Sequence, residues 1–195
     1  MMITQILFNQ HLNQHKAMAL TSNQQAPDFN TTDVYGAHIQ KAKFAGKKIY
    51  LAFERNVGCP VCNLRTHQLL KHTDYFSKNN IVVLMIYEST QAKMIEYLDG
   101  NKYSFHFIAD PENVFYKLYN VEQSMMKILK GIFHGLLGKA NAGKKLFKKP
   151  TSQDGHTATI PSEFLIDEHG KLIYVHYGKF LGDHLPLKDL QTILS

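Results

Sequence analysis

The chain is poor in cysteine and arginine, with two of each, and it has no long apolar run. Each scarcity excludes something. A bilayer span needs about 18 consecutive apolar residues, and none is present. The opening "MMITQILFNQHLNQHKAMAL" lacks a basic start and its apolar "ILF" is too short for a secretory core, so a cytoplasmic protein is expected. Arg55 and Arg65 are too few for a nucleic-acid-binding face, where arginine is usually prominent, and no nucleic-acid partner is expected. There is no internal repeat and no low-complexity tract. A chain of 195 residues that is 44% apolar can bury the core of one sizeable domain and does not read as disordered.

What charge imbalance exists is local. Between Val121 and Pro150 stand seven lysines and one acid, Glu122, so this segment carries the whole net charge of +6 and the remainder is balanced. Within it, Met125, Met126, Ile128, Leu129, Ile132, Phe133, Leu136 and Leu137 fall near helical spacing. The expectation is an amphipathic helix laying its apolar face on the domain. A lid or partner groove near the cysteines is a second reading, and a membrane-surface contact through 124–149 ranks below both.

The pattern along the chain alternates. "KIYLAFE" (48–54) and "IVVLMIYES" (81–89) read as buried strands. Pro60 to about Ser77 reads as a helix, with Leu64, Leu69, Leu70 and Phe76 as its stripe. "TQAKMIEYLDG" (90–100) reads as a helix capped by Thr90 and stopped at Gly100. "FHFIAD" is a strand, and "PENVFYKLYNV" a helix entered through its proline. "SEFLID-EHG-KLIYVHYG" is a hairpin around Gly170, and "PLKDLQTILS" a last helix. Alternation implies parallel strands with crossover helices, and the hairpin adds antiparallel ones. The expected fold is α/β and thioredoxin-like, a central mixed β-sheet flanked by helices. An N-terminal arm (1–25) would precede a domain (26–195) bearing a basic helical insertion (121–150) before the closing hairpin.

Both cysteines lie in "FERNVGCPVCNLR" (53–65), at the junction of a strand and a helix. A metal clip, a structural staple, a chance pair and a redox couple are the candidate explanations. A reducing compartment disfavours the staple. Cys59, Cys62, His67 and His72 have knuckle-like spacing, but two histidines five apart on one helix point roughly 140° from each other, which counts against metal. The redox reading suits the junction. A thiol attacks as thiolate, and Cys59, just before Pro60 at a helix start, would be acidified by unpaired N–H groups and by Arg55 upstream. Cys62, one turn on, can reach back. An exposed attacker and a shielded resolver are expected, without cofactor or metal. Glu54 reads as a partner of Arg55 or as proton acceptor for Cys62, with pairing preferred.

"APDF" (26–29), "FAGKK" (44–48), "FERNVGCPVC" (53–62), "ADPENVFYKLYNV" (109–121) and "IPSEFLIDEHGKLIYVHYGKFLGDHLPL" (160–187) resemble the peroxiredoxin-like branch of the alkyl hydroperoxide reductase/thiol-specific antioxidant family, within the thioredoxin-like superfamily. The resemblance covers about 26–190. It implies that Pro161 is the cis-proline of this fold, holding the backbone of Ile160 opposite the cysteines where an extended substrate could pair. The sequence departs from true peroxiredoxins. Asn56 and Ala52 stand where counting back from Cys59 calls for Thr and Pro, and no arginine follows Arg65. The groups that would polarise a peroxide are missing. The expected function is therefore thiol–disulfide oxidoreductase, with Cys59 attacking and Cys62 resolving. The alternatives are a modest peroxidase through a Cys59 sulfenate, or a non-catalytic binding protein on a redoxin frame. The implied partners are a disulfide or peroxide substrate, a thioredoxin- or glutathione-type thiol donor, and a second copy in a homodimer.

Overall fold

A computed structural model describes residues 19–149 and 151–194. The arm expected over 1–25 therefore lies, up to residue 18, outside the described residues. Its last residues run beside the closing hairpin, where Asn23 N–H donates to Leu172 O and Leu172 N–H to Gln24 O.

The elements are β1 (Asn30–Thr32), β2 (His38–Gln40), β3 (Lys48–Phe53), α1 (Pro60–Leu70), α2 (Thr73–Lys78), β4 (Ile81–Tyr87), α3 (Gln91–Leu98), β5 (His106–Ala109), α4 (Val114–Leu118), α5 (Met125–Ile132), α6 (Leu136–Lys144), β6 (Ser162–Ile166), β7 (Leu172–Tyr177) and α7 (Leu187–Leu194). The main sheet has the order β5-β4-β3-β6-β7. Strands β3, β4 and β5 are parallel, and β6 and β7 antiparallel. The fold is thioredoxin-like α/β. β1 and β2 form a separate small hairpin that the sequence pattern did not announce, three residues a side being too short to show a period.

Strand alternation divides β3 between two cores. Tyr50 and Ala52 join the cluster that holds both cysteines and α1, while Ile49, Leu51 and Phe53 join the one against α4. The pattern from Tyr50 to Ala52, carried two residues on, puts Glu54 toward the α1 side.

Three expectations are corrected. The helix expected from Pro60 to about Ser77 is two helices, broken at Lys71–His72, where His72 leaves helical geometry at φ −107° and ψ 18°. The buried residues of α1 include Asn63, Arg65 and Thr66, while Leu64 and Leu70 are only partly buried, because a second layer covers its outer side. The helix after Asp110 is entered at Asn113, in left-handed conformation, and not at Pro111. The Asp110 carboxylate satisfies its start, accepting from Val114 and Phe115 N–H at 2.9 and 2.7 Å and from Tyr116 N–H at 3.3 Å.

The third correction concerns the basic insertion. Its helices form, but α5 is rotated away from the expected orientation. Ser124, Lys127, Ile128 and Gly131 face the protein, while Met125, Met126, Leu129, Ile132 and Phe133 face solvent. Two contacts fix that rotation. Gly131 lets the helix approach Leu181 O so closely that an added Cβ would lie 3.0 Å from it. Lys127 Nζ bonds Gly178 O and pairs with Glu122.

Asp110→Ala should cost about 1–2 kcal/mol, as the first-turn N–H groups of α4 lose the acceptor that stands in for a capping side chain, read as a lower urea midpoint at unchanged m-value.

Candidate active site

Strand β3 ends at Phe53, and the loop of residues 54–59 delivers the chain to the start of α1. Cys59 is the N-cap of that helix and Pro60 its first residue. The cap is made by sulfur, with Cys62 N–H donating to Cys59 Sγ at 3.5 Å. Arg55 N–H donates in turn to Cys62 Sγ at 3.4 Å. Both cysteines are free thiols.

The two sulfurs are electrically opposite. Cys59 is lowered to about 6, first because the Cys62 thiol donates to it, against the opposing effect of burial. The Arg55 guanidinium and the N–H groups of Cys62 and Val61 add to the lowering. Cys62 is pushed well up, chiefly by burial, then by the neighbouring Cys59 sulfur and by Glu54. A dithiol with one acidic and one resistant sulfur can attack with the first and resolve with the second.

The expected exposure of the attacker is not observed. Cys59 is 0% and Cys62 2% exposed. The cover has two parts. Helix α6 crosses α1 so closely that a Cβ on Gly143 would fall 1.8 Å from Pro60 O, and Asn63 Nδ2 donates to Gly143 O at 2.9 Å. The segment 151–159 presses Ser152 against Gly58, where a Cβ would lie 2.5 Å from Ser152 O. That segment is pinned from below. Arg55 donates to Thr157 O and to Gln153 Oε1, both at 2.8 Å. Glu88 accepts from His156 N–H and from the Thr159 hydroxyl, and Ser89 donates to Asp154. The lid reading of the insertion thus describes where α6 lies.

Glu54 does not pair with Arg55, contrary to the preferred expectation. Successive residues leaving a strand point to opposite sides. Glu54 turns inward beside Cys62, Glu163 and His184, fully buried, with neither oxygen accepting a hydrogen bond. Burial raises it well above the ordinary carboxyl range, and the charge of Glu163 and then of Cys59 push the same way. Glu163 is the reverse case. Burial would raise it, but Arg65 at 2.8 Å, His184 and Leu185 N–H hold it at about 2. His184 Nδ1 lies 3.4 Å from Glu163 Oε1 and 3.7 Å from Glu54 Oε1, and burial lowers its pKa.

Sequence reasoning missed Glu163, Arg65 and Tyr50 as one cluster, although an acid inside the apolar "SEFLI" (162–166) was a signal for a buried partner. Pro161 immediately precedes β6, and β6 pairs Ser162 with Phe53, so Pro161 is at the same sheet end as the dithiol. The expected cis bond is absent: no peptide bond among the described residues is cis. Pro161 keeps the trans form, which proline peptides favour by about 0.5–1 kcal/mol. Ile160 N–H is donated to Glu122 O at 3.0 Å, so the chain's own segment 122–124 occupies that edge. His67 Nδ1 bonds Asn63 O, and His72 sits in the helix break. Among the described residues, no group of three or more His, Cys, Asp or Glu could hold a metal ion.

A sequence profile described as the AhpC/TSA family matches residues 22–175. No curated protein matches the chain. Similar solved structures include a protein assigned as thiol:disulfide interchange protein DsbE from Chlorobium tepidum, at 18% identity and TM-score 0.60, covering 91% of this chain and 100% of that one. Peroxidoxin BcpB from Mycobacterium tuberculosis is similar at 12% identity and TM-score 0.65, covering 90% and 96%. The reduced 2-Cys peroxiredoxin of Plasmodium vivax follows at 16% identity and TM-score 0.64, covering 90% and 80%. At these identities the structural likeness speaks for the fold alone.

Two outcomes are expected of this geometry. Alkylation of Cys59 by iodoacetamide should rise with pH through a midpoint near about 6, and Cys62→Ala should move that midpoint up by removing the first cause of the lowering. Gly143→Ala should destabilise the protein by about 1–3 kcal/mol through overpacking and speed alkylation of Cys59, because α6 must move off Pro60.

Proposed function

The chain belongs to the AhpC/TSA family, a family of thiol-dependent redox proteins, and from that premise we propose that it is a dithiol–disulfide oxidoreductase. One observation carries the reading: an acidic Cys59 sulfur capping a helix, one turn from a resistant Cys62 that lies beside an unpartnered buried carboxyl, Glu54.

The Cys59 thiolate attacks one sulfur of a substrate disulfide. That S–S bond breaks, and the departing substrate sulfur takes a proton from solvent. The mixed disulfide no longer carries the Cys59 negative charge, which had helped to raise both Glu54 and Cys62. Both become easier to ionise. Glu54, neutral at rest, first gives up its proton toward His184; its carboxylate then accepts the Cys62 proton, and the Cys62 thiolate attacks Cys59 Sγ, breaking the mixed disulfide and releasing the second substrate sulfur, which takes a proton from solvent. Two electrons have passed to the substrate, and a thiol donor of thioredoxin or glutathione type restores the Cys59–Cys62 dithiol. A proton on Glu54 can leave by way of His184, 3.7 Å away, whose ring borders a cleft of about 280 Å³ also lined by Val61, Arg65 and Lys139.

Arg55 supports the acidity of Cys59, and Pro60 fixes the helix start. An extended substrate pairing at Ile160, ahead of Pro161, displaces segment 122–124, and the cover over the sulfurs opens with it. The absence of a threonine three residues before Cys59, where Asn56 stands, and of any arginine after Arg65 favours disulfide over peroxide as oxidant.

Insulin reduction with dithiothreitol as donor should proceed with the wild type and stop in Cys59→Ser. Cys62→Ser should trap the mixed disulfide, and Glu54→Gln should slow resolution by roughly a hundredfold while the first attack persists. Hydrogen peroxide consumption faster than disulfide reduction would favour the peroxidase. Inertness of the opened protein toward both would leave only the binding role.

A further inference from the structure

The turned-out face of α5 is the largest feature that the redox chemistry leaves unused. Phe133 is 88% exposed and Met126 75%, and Met125, Leu129, Ile132 and, from α6, Leu137 are exposed beside them. On α5 they fall at i, i+1, i+4, i+7 and i+8 from Met125, a continuous stripe along one helix side. A helix that folds against its own domain normally does the reverse.

The charge along this stretch of chain has one sign, and Glu122, just before it, is paired with Lys127. From Gln123 to Gln153 the sequence holds seven lysines and no aspartate or glutamate. Lys127 and Lys139 are spent inward, on Gly178 O and Gly182 O, and Lys149 pairs with Asp99. Lys130, Lys144, Lys145 and Lys148 remain exposed. Two copies meeting through this face would bring these lysines together, so the surface is complementary to an anionic partner. The partner must also accept a protruding ridge of long, pliable side chains. A fluid interface does so without a preformed groove, with the apolar side chains inserted and the lysines at the headgroups. No described helix is long and apolar enough to cross a membrane, so the contact is with the surface.

We propose that the α5–α6 face is a docking site for anionic lipid bilayers, with the Met125–Phe133 stripe inserted and Lys130, Lys144, Lys145 and Lys148 facing the headgroups. The inference does not depend on the redox reading.

The chain contains no tryptophan, so Phe133→Trp supplies a single reporter at the most exposed residue of the stripe. Full-length Phe133→Trp should shift its emission to the blue on vesicles of phosphatidylcholine with phosphatidylglycerol. The effect should be at least about tenfold weaker on phosphatidylcholine alone, and it should fall with added salt. In co-sedimentation, Met126→Ser with Phe133→Ser, both at exposed positions, should lose binding while the circular dichroism spectrum is retained. Lys130→Gln with Lys144→Gln and Lys145→Gln should lose the preference for anionic vesicles. No blue shift on either vesicle overturns the proposal, as does equal binding to both. A blue shift that grows with protein concentration in the absence of vesicles also overturns it, since a second copy then covers the stripe.

Discussion

Glu163 is a charge in the middle of a sheet, and its pairing with Arg65 lets it stay ionised in the buried space beneath the dithiol. Arg65 donates to it through Nε at 3.0 Å, with Nη2 2.8 Å away and itself donating to the Tyr50 hydroxyl, and Leu185 N–H and His184 complete its surroundings. Removing one partner of such a pair costs about 3–5 kcal/mol, because the other is left charged and buried. With Glu163 ionised, a second carboxyl on the neighbouring strand can be accommodated only in neutral form, and that carboxyl is Glu54. The Arg65–Glu163 pair therefore does more than hold α1 to β6. Burial is the main cause that keeps Glu54 protonated; the Glu163 charge adds to it and Arg65 opposes it, and Glu54 in turn helps to raise Cys62.

The second organising feature is the insertion, which has two sides with different duties. Its inner side supplies Gly143 and Gly131, residues without side chains, at places where backbone meets backbone. Its outer side carries the apolar residues that a domain would ordinarily bury. The same pair of helices thus shields the sulfurs and presents a sticky, basic exterior.

Much of the fold could be read from the sequence. The strands β3, β4 and β6 are buried runs with clear boundaries, β7 is their partly buried hairpin partner, and the turn at Gly170 has φ +82°. The direction of the Cys59 shift was readable from the local chain, a sulfur at a helix start with an arginine before it, but its largest cause, the thiol of Cys62 donating to it, was not among the expected ones. What escaped depended on contacts distant in sequence. Asn63 and Arg65 are buried because α6 and β6 arrive from more than 70 residues away, and Thr66 because Tyr87 of β4 packs on it, whereas a local stripe argument expects the leucines instead. The orientation of α5 is set by Leu181 and Gly178, which no periodicity within the helix can reveal. The burial of the cysteines follows from the same long-range arrivals. Glu54 was assigned to Arg55 by proximity along the chain, and strand geometry separates them.

Ile160 donates its N–H to Glu122 O, so the chain carries an internal tenant at the edge beside its sulfurs. Any incoming peptide that pairs there competes with a covalently tethered rival, whose effective concentration never falls. Apparent affinity is then discounted by the fraction of time the tenant is away. Under the proposed disulfide exchange, small adventitious thiols and short fragments, which gain little from pairing, would lose that contest, and an extended chain with enough contacts of its own would evict the resident.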